Sequence, residues 1–445
     1  MKSLTAIYLL VGTLFAPLSL VAASPEFRNA VIASVAAEYP SLATIYHDLH
    51  EHPELSFMET RTAGIVAVEL RAVGCEVTEG VGNTGVVGVL RNGPGPTVMI
   101  RADMDALPIK EATGLDYAST AMVKDFAGND QPSMHACAHD AHTTGLIGTA
   151  RILAAHRAHW SGTVLFVAQP AEEIGAGARA MLTDGLFTKF PTPDFVLGLH
   201  VGGDMAAGQL ATLEGPSYAN VDSIDVLVRG IGGHGARPHS TRDPIVLASQ
   251  IVTALQTIVS RELRPGTPAV VTVGSIQGGT KHNIIPAEVK LQLTLRSYEE
   301  SVANHLIASI KRICENTARA VGLPEDLLPV VTVYGSRTPL TYNDPALTRR
   351  VDRTLRNWFP AERFEAVDAA TYGEDFSEYG RTQHKVPITI FWVGGTDPVK
   401  LAEGRAKGQL VPSNHSAFWA PVPGPTIMTS VLAMSAAALD LLGKK

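Results

Sequence analysis

Val164-Leu165-Phe166-Val167-Ala168-Gln169-Pro170-Ala171-Glu172-Glu173 runs from apolar residues straight into two adjacent carboxylates. The apolar part reads as a strand buried on both faces, the pattern that parallel sheets produce. Pro170 makes a surface helix a poor account of the carboxylates that follow. Further apolar runs stand on either side, at residues 85–90, 97–100 and 195–199. Helical stretches such as residues 143–156 and 176–182 lie between the later ones, and residues 27–73 read as two helices interrupted by His52-Pro53-Glu54. Strands alternating with helices predict an α/β class: a layered domain with a mixed, largely parallel sheet and helices on both faces. Glu172 and Glu173 then sit at the C-terminal end of a strand, where open α/β sheets place their sites.

The texture changes near Glu214-Gly215-Pro216. Residues 224–228 alternate like a half-exposed strand. A helix at 244–261, strands at 269–273 and 289–295, a helix ending near 321 and a closing strand at 330–334 follow. That order predicts a smaller α+β unit inserted into the larger one. The layered texture returns with a helix near Pro345–Trp358 and a strand at 388–393. The expected division is residues 24–214 and 337–445 for the larger, discontinuous domain and 215–336 for the insertion.

The chain has 445 residues, 45% hydrophobic and 18% charged, and this length favours two domains over one core. With a formal net charge of −7 and no Lys/Arg cluster above the scattered background, a nucleic-acid partner is not expected. Lys2, the apolar residues 4–20 and Val21-Ala22-Ala23 read as a signal peptide over residues 1–23, giving an exported protein, periplasmic or secreted. An uncleaved anchor is the alternative; Pro17 and the small residues before Ser24 favour cleavage. No Cys follows the apolar stretch to carry a lipid, and no later segment is expected to cross a membrane. Cys75 and Cys314 fit buried thiols better than disulfide partners.

The densest chemistry is Met134-His135-Ala136-Cys137-Ala138-His139-Asp140-Ala141-His142. Cys137 and His139, two apart, are able to grip one metal ion in extended or loop backbone, and Asp140 is placed to cap a helix from Thr143. Alone, Cys-x-His reads more readily as a buried thiol beside a surface histidine. The Glu172-Glu173 pair changes that balance, because one carboxylate can bind metal while the other moves a proton. His200 and Asp103/Asp105 also end apolar strands, and Asn414-His415-Ser416 lies far along the chain. Several polar strand ends converging on one sheet edge indicate a site. Gly230-Ile231-Gly232-Gly233-His234-Gly235 fits a dinucleotide fingerprint, but Pro238 stands where the phosphate-binding helix would run; the glycines better suit a turn holding His234 outward. No G-x-S-x-G elbow supports a serine hydrolase.

With these clusters in place, the chain resembles the metal-dependent amidohydrolases that include hippurate hydrolase, plant auxin-conjugate hydrolases and bacterial N-acyl-amino-acid hydrolases, relatives of aminoacylases and glutamate-releasing carboxypeptidases. Six ordered motifs carry the likeness: His52 to Ser56, Arg101 to Pro108, Met134 to His142, Gln169 to Glu173, Gly232 to His239 and Tyr372 to Ser377. The resemblance implies two divalent ions held by Cys137, His139, Glu173, His200 and His415, with zinc favoured by the thiolate and manganese, cobalt or nickel as alternatives. It implies Glu172 as general base and Asp105 steadying a metal-bound histidine. It implies a lid in the inserted domain that pairs subunits in many members, His234 reaching toward substrate, and Asn283 and Arg296 as holders of the substrate carboxylate. The expected reaction is hydrolysis of N-acyl or N-aroyl amino acids or similar small amides. A dipeptidase or carboxypeptidase would use the same site, and an exported binding protein on an enzyme scaffold is the reading from another class. Two departures stand out: Ala138 where the family commonly has Gly, and Asn414 and Ala417 where it often has Leu and Pro.

Overall fold

A computed structural model describes residues 24–444; the expected signal peptide at 1–23 lies outside the described residues. The chain opens with α1 (Pro25–Glu51) and α2 (Thr60–Ala72). Ser24, the expected mature start, caps α1 by accepting a hydrogen bond from the Phe27 amide at 3.2 Å. The strands of the larger sheet that follow are β1 (Glu76–Val81), β2 (Gly85–Asn92), β3 (Thr97–Asp103), β4 (Gly162–Gln169), β5 (Phe195–Ala206) and β6 (Leu210–Ala211), with α3 (His139–Ala155) between β3 and β4. The smaller unit contributes β7 (Asn220–Arg229), α4 (Pro244–Thr257), β8 (Ala269–Gly278), β9 (Glu288–Ser297), α5 (Glu300–Ala320) and β10 (Val330–Thr338). Then come α6 (Pro345–Trp358), β11 (Ile388–Thr396) and α7 (Pro423–Leu442).

The larger sheet has the order β1-β2-β4-β3-β5-β11-β6. Its four central strands, β4, β3, β5 and β11, run parallel, and the outer pairings are antiparallel. The β4 sequence explains its central place, since alternate residues enter opposite cores. Val164, Phe166 and Ala168 join a cluster with side chains of α1, α2, α3, α6 and α7, whereas Leu165 and Val167 face Met181, Phe187, Phe376 and Tyr379. The smaller sheet, β8-β9-β7-β10, is antiparallel throughout. Helices α4 and α5 cover one face through Leu247, Ile251, Leu306 and Ile310, so β9 alternates buried Val289, Leu291 and Leu293 with more open Glu288, Lys290 and Gln292. A two-stranded ladder of Gly215–Tyr218 with Thr341–Asn343 closes the junction.

Two local expectations change. Helix α3 begins at His139, four residues before Thr143, because Ala138 adopts a left-handed conformation (φ 66°) that turns the chain directly into the helix. Asp140 is therefore inside the helix, and its carboxylate pairs with His50. The second change is α7, which has the length and apolarity of a membrane span, contrary to expectation. Yet 78% of its most apolar window is buried within the protein. It lies so close to α3 that a Cβ on Gly148 would come within 2.4 Å of Val431 Cγ2. Asp440, near its end, pairs with Arg350 of α6 at 2.6 Å. This is the helix of a protein core.

Candidate metal centre

Cys137 and His139 are separated by Ala138, and the left-handed turn there brings both toward His200 of β5; the three ligand atoms lie within 4.8 Å of one another. Cys137 also belongs to a second such group with Glu173 and His415. The Cys137 sulfur thus stands between two sets of donors. It is 3.6 Å from His200 Nε2, and His415 Nε2 is 3.4 Å from Glu173 Oε2. His415 is held by its amide, which donates to Ala136 O at 2.8 Å, while its side chain is 54% exposed.

Hydrogen bonds decide which ring atoms are available. His139 Nδ1 donates to the Asp105 carbonyl oxygen at 2.8 Å, and His200 Nδ1 donates to Val201 O at 3.0 Å, so both present Nε2. His139 Nε2 and Glu173 Oε1 are buried without a hydrogen-bond partner. Unpaired buried lone pairs are costly in a folded protein, and a divalent cation is the partner that suits both. The residues present therefore fit the two-ion centre that the resemblance implies. His142 does not share this feature. Its Nδ1 donates to Asp103 at 2.5 Å and its Nε2 accepts from the Val201 amide at 2.8 Å, so the ring ties α3 to β3 and β5.

Three consecutive amides hold the Glu172-Glu173 loop. Ala171 N donates to Glu59 Oε1 at 2.9 Å, Glu172 N to Asp105 Oδ1 at 3.1 Å and Glu173 N to Asp105 Oδ2 at 3.0 Å. Ser56 Oγ also donates to Asp105, at 2.6 Å. Asp105 thus serves the site twice, with its carbonyl on His139 and its carboxylate on the loop. Glu59 was not identifiable from sequence, because its partner amide is 112 residues away; an acid three residues beyond the His52-to-Ser56 motif was the only available sign. Burial first, then the charges of Glu374, Glu173 and Asp375, push the Glu172 carboxyl well above the usual carboxylate range, with His139 opposing. Burial, with Asp105 and Asp103, likewise raises Glu173 to about 8 against the pull of His139. Arg101, fully buried, neutralises part of this acidity: it contacts Asp103 at 2.7 Å, Glu374 at 2.9 Å and Asp375 at 3.1 Å.

The remaining expected site residues lie in the smaller unit. His234 pairs with Ile284 in a short ladder and is exposed, its Nδ1 accepting from the Ala236 amide at 3.0 Å. Asn283 is beside it, with its carbonyl accepting from Gly235 N at 2.9 Å. Arg296 is half-buried on β9 opposite Val221, a residue that abuts Gly373 next to Tyr372. Among the described residues, no hydrogen bond or ion pair joins His234, Asn283 or Arg296 to the Cys137–His139–Glu173 cluster. Tyr372, half-exposed, stands edge-on to Tyr218 with its ring centroid 6.2 Å from that of His200.

A parallel-sheet edge carrying thiol, imidazole and carboxylate donors, with a further carboxylate beside them, defines a metal-dependent hydrolase. The chain belongs to peptidase family M20/M25/M40, whose model matches residues 99–407. It is 36% identical to thermostable carboxypeptidase 1 of Saccharolobus solfataricus, over 84% of this chain and 89% of that protein. It is 40% identical to hippurate hydrolase of Campylobacter jejuni, over 62% of this chain and 69% of that one. A Bacillus subtilis crystal structure described as a dinuclear metal-binding peptidase of the M20 family is 29% identical, with a TM-score of 0.72 over 92% of this chain and 99% of that one. The protein is accordingly a hydrolase of the M20 peptidase and amidohydrolase type, with a catalytic layer and a smaller appended one.

Proposed function

We propose that the chain is an exported amidohydrolase that cleaves N-acyl or N-aroyl amino acids, or similar small amides, with two divalent ions per subunit. The observation that carries the proposal is the pair of donor groups sharing Cys137, with His139 Nε2 and Glu173 Oε1 buried and unpaired between them. Cys137, His139, Glu173, His200 and His415 would hold the ions, and the sulfur donor favours zinc over manganese, cobalt or nickel. When bound, divalent ions make water a nucleophile near pH 7 and polarise the amide carbonyl. Glu172 is the residue for proton transfer. Its side chain is 10% exposed and lies 3.9 Å from His139 Nε2, beside the donor groups, where it is placed to take a proton from the attacking water. The same carboxyl then delivers that proton to the departing amine, which leaves poorly as an anion. His234 would reach the tetrahedral intermediate by movement of the lid, residues 215–336, and Asn283 and Arg296 would hold the substrate carboxylate. The expected signal peptide over residues 1–23 supports a protein that works in the periplasm or outside the cell.

The test is amine release by purified mature protein from a panel of N-acyl amino acids, with metal added and after chelation. Release is expected only with metal. Glu172→Ala is expected to lower turnover by roughly two to four orders of magnitude while metal content stays at two ions. Near-normal turnover in that variant would remove Glu172 from its role. The likeness to a carboxypeptidase favours one second reading, a dipeptidase or carboxypeptidase using the same groups. Paired N-acyl and dipeptide substrates separate the two by the ratio of kcat/KM. Failure to turn over either class would favour an exported binding protein.

A further inference from the structure

Asn414 departs from the pattern of the resembled family, which often has Leu at this place, and its side chain is fully engaged. Oδ1 accepts the Gly203 amide at 2.7 Å. Nδ2 donates to Val201 O at 3.0 Å and lies 3.8 Å from Cys137 Sγ as a donor. An amide nitrogen carries two protons, one for each of these acceptors. Leucine can make none of the three bonds. The two partners of Asn414 on β5 follow His200 by one and three residues, and the next residue, His415, has a left-handed backbone (φ 66°), so the amide also anchors a strained turn.

We infer that Asn414 is a positioning residue for the Cys137 sulfur, strapped to β5 by Val201 and Gly203 and donating its second Nδ2 proton to the sulfur. Such a bond fixes the direction of the sulfur between the two donor groups. It also draws electron density from it, and hydrogen bonds to a cysteine sulfur tune metal–thiolate centres in this way. The inference rests on Cys137 being a ligand, and its test separates the two ideas.

The probe is cobalt(II), loaded into the whole mature protein and read by its near-ultraviolet thiolate-to-cobalt absorption. Wild type should show that band. Asn414→Leu and Asn414→Ala, neither of which carries a side-chain donor, should move it to longer wavelength. A wild type without the band would remove Cys137 as a ligand, and this inference with it. A wild-type band that stays in place in a cobalt-loaded variant, even one of lowered thermal stability, would overturn this inference alone and leave Asn414 as a strap. If neither variant retains cobalt, 15N-labelled wild type loaded with cadmium-113 decides: the Asn414 side-chain proton should couple to cadmium through the sulfur, and absence of coupling overturns the inference.

Discussion

Ala138 is fully buried and holds φ at 66°, between the two residues whose side chains converge on His200. For an L-residue with a Cβ the left-handed region costs about 1–2 kcal/mol, and glycine escapes that cost. The turn cannot relax, because it starts α3 and aims Cys137 and His139 at the same place. Glycine, common here in the resembled family, would lose the methyl contact and gain freedom in the unfolded chain, which together offset part of the gain. Ala138→Gly is therefore expected to raise stability by up to about 1 kcal/mol, read as a higher urea midpoint at unchanged slope. A lower midpoint would mean that the buried methyl outweighs the backbone strain. Ala171 shows the same device beside the other half of the site: φ is 51°, and Glu59 caps its amide.

Helices α1 and α3 are joined by a buried ionic network rather than by apolar packing alone. His50 of α1 contacts Asp140 of α3 at 2.6 Å and Glu111 at 3.1 Å, with no exposure of any of the three side chains. Burial works against a charge on His50, but the hydrogen bonds and charges of Asp140 and Glu111 outweigh it and lift the imidazole to about 9. Against the effect of burial, the hydrogen bond from His50 lowers the Asp140 carboxyl, and His135, also buried, adds to that pull. A histidine whose folded value lies above its unfolded value of about 6.5 contributes stability that is complete below pH 6.5. That contribution is lost as pH rises through about 9. The lost amount is on the order of 3 kcal/mol at most. Urea midpoints of wild type should fall over this window, and His50→Gln, already destabilised, should lack that part of the slope. Equal slopes in the two proteins would show that His50 is neutral in the fold. The elements themselves were legible where pattern is local: β4 from its apolar run, α1 and α2 from their break at His52-Pro53-Glu54, and the smaller unit from its alternating strands. Helix α7 was not, since a helix apolar all round and rich in Ala and Ser has no polar stripe to mark it. The ligand candidates were legible because each ends a strand or stands in a dense motif. Glu59, and the closure of the Arg101–Glu374–Asp375 cluster, were not, because their contacts join segments far apart in the chain.

At the scale of the whole molecule, the smaller unit carries an outer strand and several exposed apolar side chains. Strand β8 forms an outer edge of its sheet, and Ile276 on that strand is 54% exposed. Val246 at the start of α4 is 52% exposed and Ile284 51%, and Ile245 lies 3.4 Å from where a Cβ on Gly279 would stand. Open edges and grouped apolar side chains are liabilities in a monomer and are usually covered. A homodimer paired through this unit is the expected state, seen as twice the chain mass in sedimentation at micromolar concentration. Val246→Glu combined with Ile276→Lys should yield monomers. The urea midpoint should shift little apart from the lost linkage to dimerisation, because both side chains are already half open to water. A monomeric wild type would rule the interface out. The same variant locates His234, which among the described residues has no hydrogen bond or ion pair to the metal-site side chains: turnover that collapses with the dimer means that the histidine serves the neighbouring site. Turnover that survives means that closure of the lid brings it to its own.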